Sequence, residues 1–206
     1  MPRKTKAEAE LTRSAILDAA EVVFHARGVA GTSLHEVALA AGVTRGAVYW
    51  HFKDKADLFN AMMDRVSLPF EQSTETLNHV APAQALAAIR AHLKVVLQRV
   101  NDDARARLVF EIAMHKVEYN AEMARMRERR IAARGLHIAL LEKALLAARR
   151  AGTIKSRQTG RQMAIGLHAL LDGLVQNWML DPGGFKLQPA GLRALDTYIA
   201  GLTAAE

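Results

Sequence analysis

Between Ser33 and Phe52 the chain has room for two short helices and one tight turn, and for little else. Ser33-Leu34-His35-Glu36 is a capping box, with serine at the N-cap and glutamate at N3. Leu34, Val37, Ala38 and Ala41 then line one apolar face of a helix that ends before Gly42. Ala41-Gly42-Val43 makes the turn: Gly42 is free to take a positive φ and Val43 packs inward. Thr44 caps a second helix, Arg45 to His51, whose buried face is Val48 and Phe52. Two short helices joined through a glycine turn form a helix-turn-helix.

The outward side of that second helix is unusual. It carries Thr44, Arg45, Gly46, Tyr49 and Trp50, with His51 at its edge. A solvated face is normally built from Lys, Glu and Gln, so this one reads as a contact surface. Recognition helices set their N-terminal residues against base edges in the major groove of duplex DNA. Arg45 suits guanine O6 and N7, and Gly46 lets the backbone come close. Tyr49 and His51 suit phosphates, and an aromatic ring suits a thymine methyl. Lys53, Lys55 and the helix start after Asp54 are expected to hold phosphate, as are Thr32 and Ser33 at the other helix start. The competing reading is that Tyr49 and Trp50 cover the core of a small bundle. The capping box, the glycine turn and the flanking basic residues favour DNA.

The rest of the chain has no alternating β-branched runs, and Ala, Leu, Glu and Arg recur at helical spacing. The expectation is an all-α protein of about nine helices. The first runs from about Ala9 to Arg27 on the stripe Ile16, Leu17, Ala20, Val23 and Phe24, and Gly28 stops it. A fourth starts after Asp54 and passes Leu58, Met62 and Arg65, with Pro69 expected to interrupt or bend it. Further helices are expected near 83–100, 103–118, 121–151, 159–180 and 189–203. Asp102 or Asp103 caps one start, Gly152 stops the long helix, and Asp181-Pro182-Gly183-Gly184 is a turn. The organisation expected is a DNA-binding domain over 1–54 and a larger helical bundle over 55–206, a candidate for ligand binding and dimerisation on the grounds given below.

Composition narrows the function. The chain has 206 residues, half of them hydrophobic, and no Cys. Disulfides, thiolate zinc sites and cysteine nucleophiles are excluded. No apolar region follows the basic N-terminus, and no run has the roughly 18 uncharged apolar residues of a membrane helix. A soluble, cytoplasmic protein is expected. The net charge is +7, yet residues 1–60 carry only +1, while residues 125–161 hold eleven Lys and Arg against two acids. Charge alone would misplace the DNA site. The basic run Arg125 to Arg134 reads as a solvated helix face, with attraction for phosphate or an anionic effector as a second reading. No GxSxG, GxGxxG, P-loop or HExxH pattern occurs, so neither enzyme activity nor a cofactor or metal is expected.

In the C-terminal bundle Met62, Leu93, Val96, Leu97, Phe110, Met114 and Ile165 are candidates to line an apolar cavity. His168, Asp172 and Gln176 fall four apart on one helix face. They either orient a ligand or satisfy one another, helix ends or a dimer contact. The last two helices are apolar over wide arcs: Gly166, Leu167, Leu170, Leu174 and Trp178, then Leu192, Leu195, Ile199 and Leu202. A two-fold four-helix interface between two copies would bury the surplus.

The stretch Thr12 to Phe59 strongly resembles the TetR/AcrR family of repressors. The matching residues are Thr12-Arg13, Ala19-Ala20-Glu21, Phe24, Arg27-Gly28, Thr32-Ser33-Leu34, Val37-Ala38, Ala41 to Gly46, Tyr49 to Phe52, and Lys55-Ala56-Asp57-Leu58. The resemblance implies a homodimer on a palindromic operator, with the third helix reading the groove and the fourth linking to a ligand domain. The C-terminal part is similar to the subgroup that represses multidrug efflux operons. The cues there are Glu111-Ile112 before His115-Lys116-Val117-Glu118-Tyr119, Asp172-Gly173-Leu174 before Asn177-Trp178, and the Arg3-Lys4-Thr5-Lys6 start. This implies release by hydrophobic small molecules. A regulator of a metabolic operon and an activator are the alternatives.

Overall fold

The computed structural model describes residues 5–118 and 123–204, with side chains at 68–76 left aside. Arg3, Lys4, Tyr119 and the expected helix start at 121 lie outside the described residues. Within them every regular element is helical: α1 (Lys6–Arg27), α2 (Leu34–Ala40), α3 (Arg45–His51), α4 (Lys55–Asn78), α5 (Ala85–Asp102), α6 (Ala104–His115), α7 (Ala124–Arg150), α8 (Gly160–Leu180) and α9 (Leu187–Thr203). A single 3₁₀ turn, Pro82–Gln84, precedes α5. The all-α expectation holds, and side-chain caps set several of the boundaries. Thr5, Ser33 and Thr159 each form a full capping box, with Glu8, Glu36 and Gln162. The Thr5 box starts α1 three residues earlier than its apolar stripe predicts. Asp103 caps α6, its Oδ1 accepting from the N–H groups of Arg105 and Ala106. The backbone of α4 runs on past Pro69 without a break.

The chain folds as two compact units. One comprises residues 1–67 and 108–129, the other 68–107 and 130–206. The first unit therefore continues beyond residue 54 into α4 and takes in most of α6 and the start of α7. Its core holds Ile16, Leu17, Ala20, Phe24, Val37, Val48, Phe52, Leu58, Met62, Val109, Ile112, Met123 and Met126. The later segment is tied in by polar contacts as well. The Val29 N–H donates to the Lys116 carbonyl at 2.9 Å, and His25 Nε2 lies 3.0 Å from Glu111 Oε1. The arginine of α4, Arg65, donates to Ser14, Asp18 and Glu21 of α1 at 2.9–3.1 Å. Glu21 is almost wholly buried, so this pairing offsets the desolvation of its charge.

In the second unit α9 packs on α5 and α8. Small residues allow the close approach: a Cβ on Gly191 would lie 2.7 Å from Leu97 Cδ1, and one on Gly166 would lie 2.3 Å from the Tyr198 hydroxyl. Tyr198 donates to the Met163 carbonyl at 2.9 Å, which fixes its ring over α8. Arg90 Nε and Nη2 donate to the two oxygens of Asp196 at 2.6 and 2.9 Å. Leu97 is fully buried and has nowhere to swing. Gly191→Ala is therefore expected to destabilise the protein by about 1–3 kcal/mol despite alanine's better helix propensity. The Gly191→Ala/Leu97→Ala double variant is expected to lose less than the sum of its singles. Urea unfolding of the three variants measures both effects.

Candidate DNA-reading helix and the polar line of the second unit

Helix α3 is too short to be stable alone, so its neighbours must hold it. Val48 is fully buried and Phe52 nearly so; these two side chains anchor the helix. Thr44 Oγ1 accepts from the Ala47 N–H at 3.2 Å and fixes the start. The turn before it closes when the Val43 N–H donates to the Ala38 carbonyl at 3.0 Å. That geometry requires φ +65° at Gly42, where a side chain would be strained.

The opposite face stands in solvent. Trp50 is 73% exposed and Tyr49 46%, so neither covers a core within this chain. Arg45 is exposed as well, its guanidinium 5.4 Å from the Tyr49 ring centre. Trp50 stacks edge-on against His51 with ring centres 4.5 Å apart. A Cβ at Gly46 would find nothing nearer than Thr44 Oγ1 at 3.9 Å, so that stretch of backbone is open to a close-fitting partner. Lys53 and Ser33 are exposed too, the Ser33 hydroxyl being held by Glu36 of its capping box.

Two expected phosphate holders turn inward instead. Lys55 is buried, and its Nζ donates to the carbonyls of Ala30 and Thr32 at 3.0 and 2.9 Å. Its charge closes the α1–α2 loop. Thr32 is buried, and its hydroxyl donates to the Gly28 carbonyl at 2.7 Å. Neither presents a surface to DNA. In sequence both resemble ordinary helix-start residues, and only the fold reveals the carbonyls they meet.

The candidate ligand residues divide between the two units. Met62, Phe110 and Met114 belong to the first, and the other seven to the second. Leu93 and Leu97 are sealed in the core, whereas Ile165 is 47% exposed on the outside of α8. The two described concavities of the second unit are lined by residues such as Pro189 and Arg193, or Asn101 and Phe185, and include none of the apolar candidates. Of the readings open for the polar residues of α8, internal satisfaction is what the structure contains. Asp172 accepts from Gln176, and His168 Nδ1 lies 3.0 Å from His137 Nδ1.

The sequence reading missed the rest of that line. His137 Nε2 in turn lies 3.0 Å from His92 Nε2, so three rings from α5, α7 and α8 run in series. A neutral imidazole carries one N–H. If His137 donates from Nε2 it must accept at Nδ1, and the reverse, so the tautomers of all three rings are coupled. No sequence signal links positions 45 and 31 residues apart. Burial lowers His92 to about 4, and burial with its two ring neighbours lowers His137 to about 3. His168 is also lowered, chiefly by burial; Asp172 opposes this and Arg134 adds to it.

The proposed dimer residues also separate by burial. Leu167, Trp178, Leu195 and Leu202 are buried inside one chain, and Gly166 is filled against by Tyr198. The apolar surplus that suggested a partner is largely consumed by the packing of α8 and α9 within the unit. Leu170, Leu174, Leu192 and Ile199 are only half-buried and retain surface. No described helix is long and apolar enough to cross a membrane.

An outward-facing α3 held at a glycine turn, on a unit separate from a larger helical one, defines a helix-turn-helix DNA-binding regulator. Residues 16–62 match the family described as bacterial regulatory proteins, tetR family, and residues 84–203 match the C-terminal region of MAATS-type transcriptional repressors. The chain belongs to the TetR family. It is 37% identical over 199 residues to the transcriptional regulator TtgR of Pseudomonas putida, spanning 91% of this chain and 89% of that one. The fold superposes with a TM-score of 0.88 on NalD, the secondary repressor of the MexAB-OprM multidrug efflux pump in Pseudomonas aeruginosa, at 36% identity over 96% of this chain and 98% of that one. It superposes at 0.84 on SmeT of Stenotrophomonas maltophilia in complex with triclosan, at 34% identity over 94% and 92% of the two chains.

The histidine line makes stability depend on pH. Folded His92 stays neutral down to about pH 4 and His137 to about pH 3, while unfolded histidines take up protons near the ordinary 6.5. The contribution of these two rings is therefore present above pH 6.5 and is lost as pH falls toward 4. Thermal melts between pH 7 and 5 are expected to fall steeply for the wild type and less steeply for His137→Phe.

Proposed function

We propose that this chain is a homodimeric, ligand-released repressor of an efflux operon, reading a palindromic operator with α3. One observation carries the reading: Arg45, Tyr49 and Trp50 face solvent together on a helix anchored inward by Val48 and Phe52. Thr44, Arg45, Gly46, Tyr49, Trp50 and His51 meet the major groove, and Lys53 and Ser33 the flanking phosphates. A dimer sets two such helices one DNA turn, about 34–36 Å, apart. Efflux control is supported by the likeness to NalD and SmeT over nearly their whole length. The half-buried Leu170, Leu174, Leu192 and Ile199 serve the two-fold contact. A hydrophobic effector enters the second unit, where Val96, His168, Asp172 and Gln176 are within its reach. By binding better to a conformer with displaced recognition helices, it lowers operator affinity by the ratio of its two affinities. A DNA-binding regulator of this kind works in the cytoplasm and has no catalytic role.

A gel shift on the DNA upstream of its own gene, with and without a panel of hydrophobic drugs, tests this. The wild type is expected to shift the fragment specifically, and one drug to abolish the shift. Tyr49→Ala is expected to stay folded and dimeric but to lose sequence-specific binding by at least about tenfold. Undiminished specific binding by that variant defeats the assignment of α3.

A further inference from the structure

The N-terminal half of α4 is held from several sides. Lys55 ties it to the α1–α2 loop and Arg65 to α1, as described. A further tether is the start of α7. Arg125 pairs with Asp54, and Arg129 pairs with Asp64 while also donating to the Asn60 carbonyl at 3.2 Å. Asp54 occupies a particular place. It follows the Phe52 anchor of α3 by two residues, and its Oδ1 accepts from the Asp57 N–H at 2.9 Å to cap α4. Asp57 Oδ2 accepts in return from the Lys53 N–H at 2.9 Å. The α3–α4 corner is thus closed by local hydrogen bonds, and one oxygen of the capping carboxylate remains for Arg125. Helix α7 is unbroken from Ala124 to Arg150, yet only its first turns belong to the first unit. An exposed ion pair adds little to stability.

We propose that Arg125 and Arg129 are positioning residues for operator binding, holding the α3–α4 corner through Asp54 and Asp64 from the first turns of a helix that continues into the second unit. The proposal rests on α3 being the DNA-reading helix. It gives two residues of the basic run a task other than solvation or phosphate attraction, and it makes any displacement of α7 a displacement of the corner.

Asp54→Asn separates positioning from capping, because asparagine caps a helix as well as aspartate but offers Arg125 no charge. Arg125→Gln removes the other partner, and Arg125→Lys restores charge. Two readouts are taken on the full-length dimer: anisotropy of a labelled upstream fragment across a salt series, and hydrogen exchange of amides 53–60, which needs no DNA. Asp54→Asn and Arg125→Gln are each expected to weaken operator binding by about threefold per protomer, about tenfold for the dimer, with an unchanged salt slope. The double variant is expected to be no worse than either single, Arg125→Lys to recover part of the loss, and exchange at 53–60 to quicken with global unfolding unchanged. A loss confined to Arg125→Gln, with the salt slope reduced by about one ion, overturns the proposal and makes Arg125 a phosphate contact. Unchanged affinity overturns it too, whether or not exchange quickens. If the wild type binds no upstream DNA, the DNA-reading assignment fails by itself. Unchanged exchange in the variants then also sinks the corner's dependence on Arg125.

Discussion

Two inward side chains decide what the outward face of α3 can do. A helix of seven residues has too few internal hydrogen bonds to persist in water. Val48 and Phe52 supply the missing stability from the core, and because they lie four residues apart they also fix the helix's rotation. Once that rotation is set, Arg45, Tyr49 and Trp50 have no choice but to face solvent. The aromatic surface is expensive to expose and contributes nothing to the fold, as expected of a surface kept for a partner. The guanidinium of Arg13 over the Phe52 ring, 5.3 Å from its centre, and the fully buried Leu58 extend the same anchor into α1 and α4.

Helix α4 is where the local and long-range constraints meet. Its start is closed by Asp54, Asp57 and Lys53, and Lys55 one residue on reaches back to the Ala30 and Thr32 carbonyls. Buried lysine is tolerable only with its ammonium satisfied, and these carbonyls are the unpaired acceptors of a loop that lacks secondary structure of its own. The same few residues therefore set the α1–α2 loop, the α3–α4 corner and the seat of α3. A regulator whose reading head must be held to within fractions of an ångström gains from such redundancy.

Features with a local cause were legible in the sequence. The capping boxes at Ser33, the Thr44 cap, the Gly42 turn and the Val48–Phe52 spacing each rest on residues within four positions of one another, and the structure reproduces them. What was not legible has long-range causes. Lys55 and Thr32 read as surface residues because nothing nearby in sequence announces the carbonyls they bind. The histidine line joins three helices, and each ring alone looks like an isolated core residue. Counting apolar residues on α8 and α9 overstated the surface left for a second copy, because Leu167, Trp178, Leu195 and Leu202 are spent within the chain. Of the two outcomes expected at Pro69, an interruption does not occur: α4 continues past it.

The polar line of the second unit bears on how an effector acts in the proposed mechanism. His92, His137 and His168 lie in series within hydrogen-bond reach of one another, and Asp172 accepts from Gln176, so this polar line already has partners before any ligand arrives. A ligand that replaces one of these bonds gains little from it, since the bond it makes is offset by the bond it breaks. Affinity must then come from apolar area, which favours hydrophobic molecules and discriminates weakly among their polar groups. The coupled tautomers act in the same direction. A group accepted at one end of the line is met by a donor or an acceptor according to how the three rings share their protons. A polar line paired within itself is thus compatible with sensing many ligands, provided that binding is driven by burial and selects a conformer rather than filling a prepared polar site.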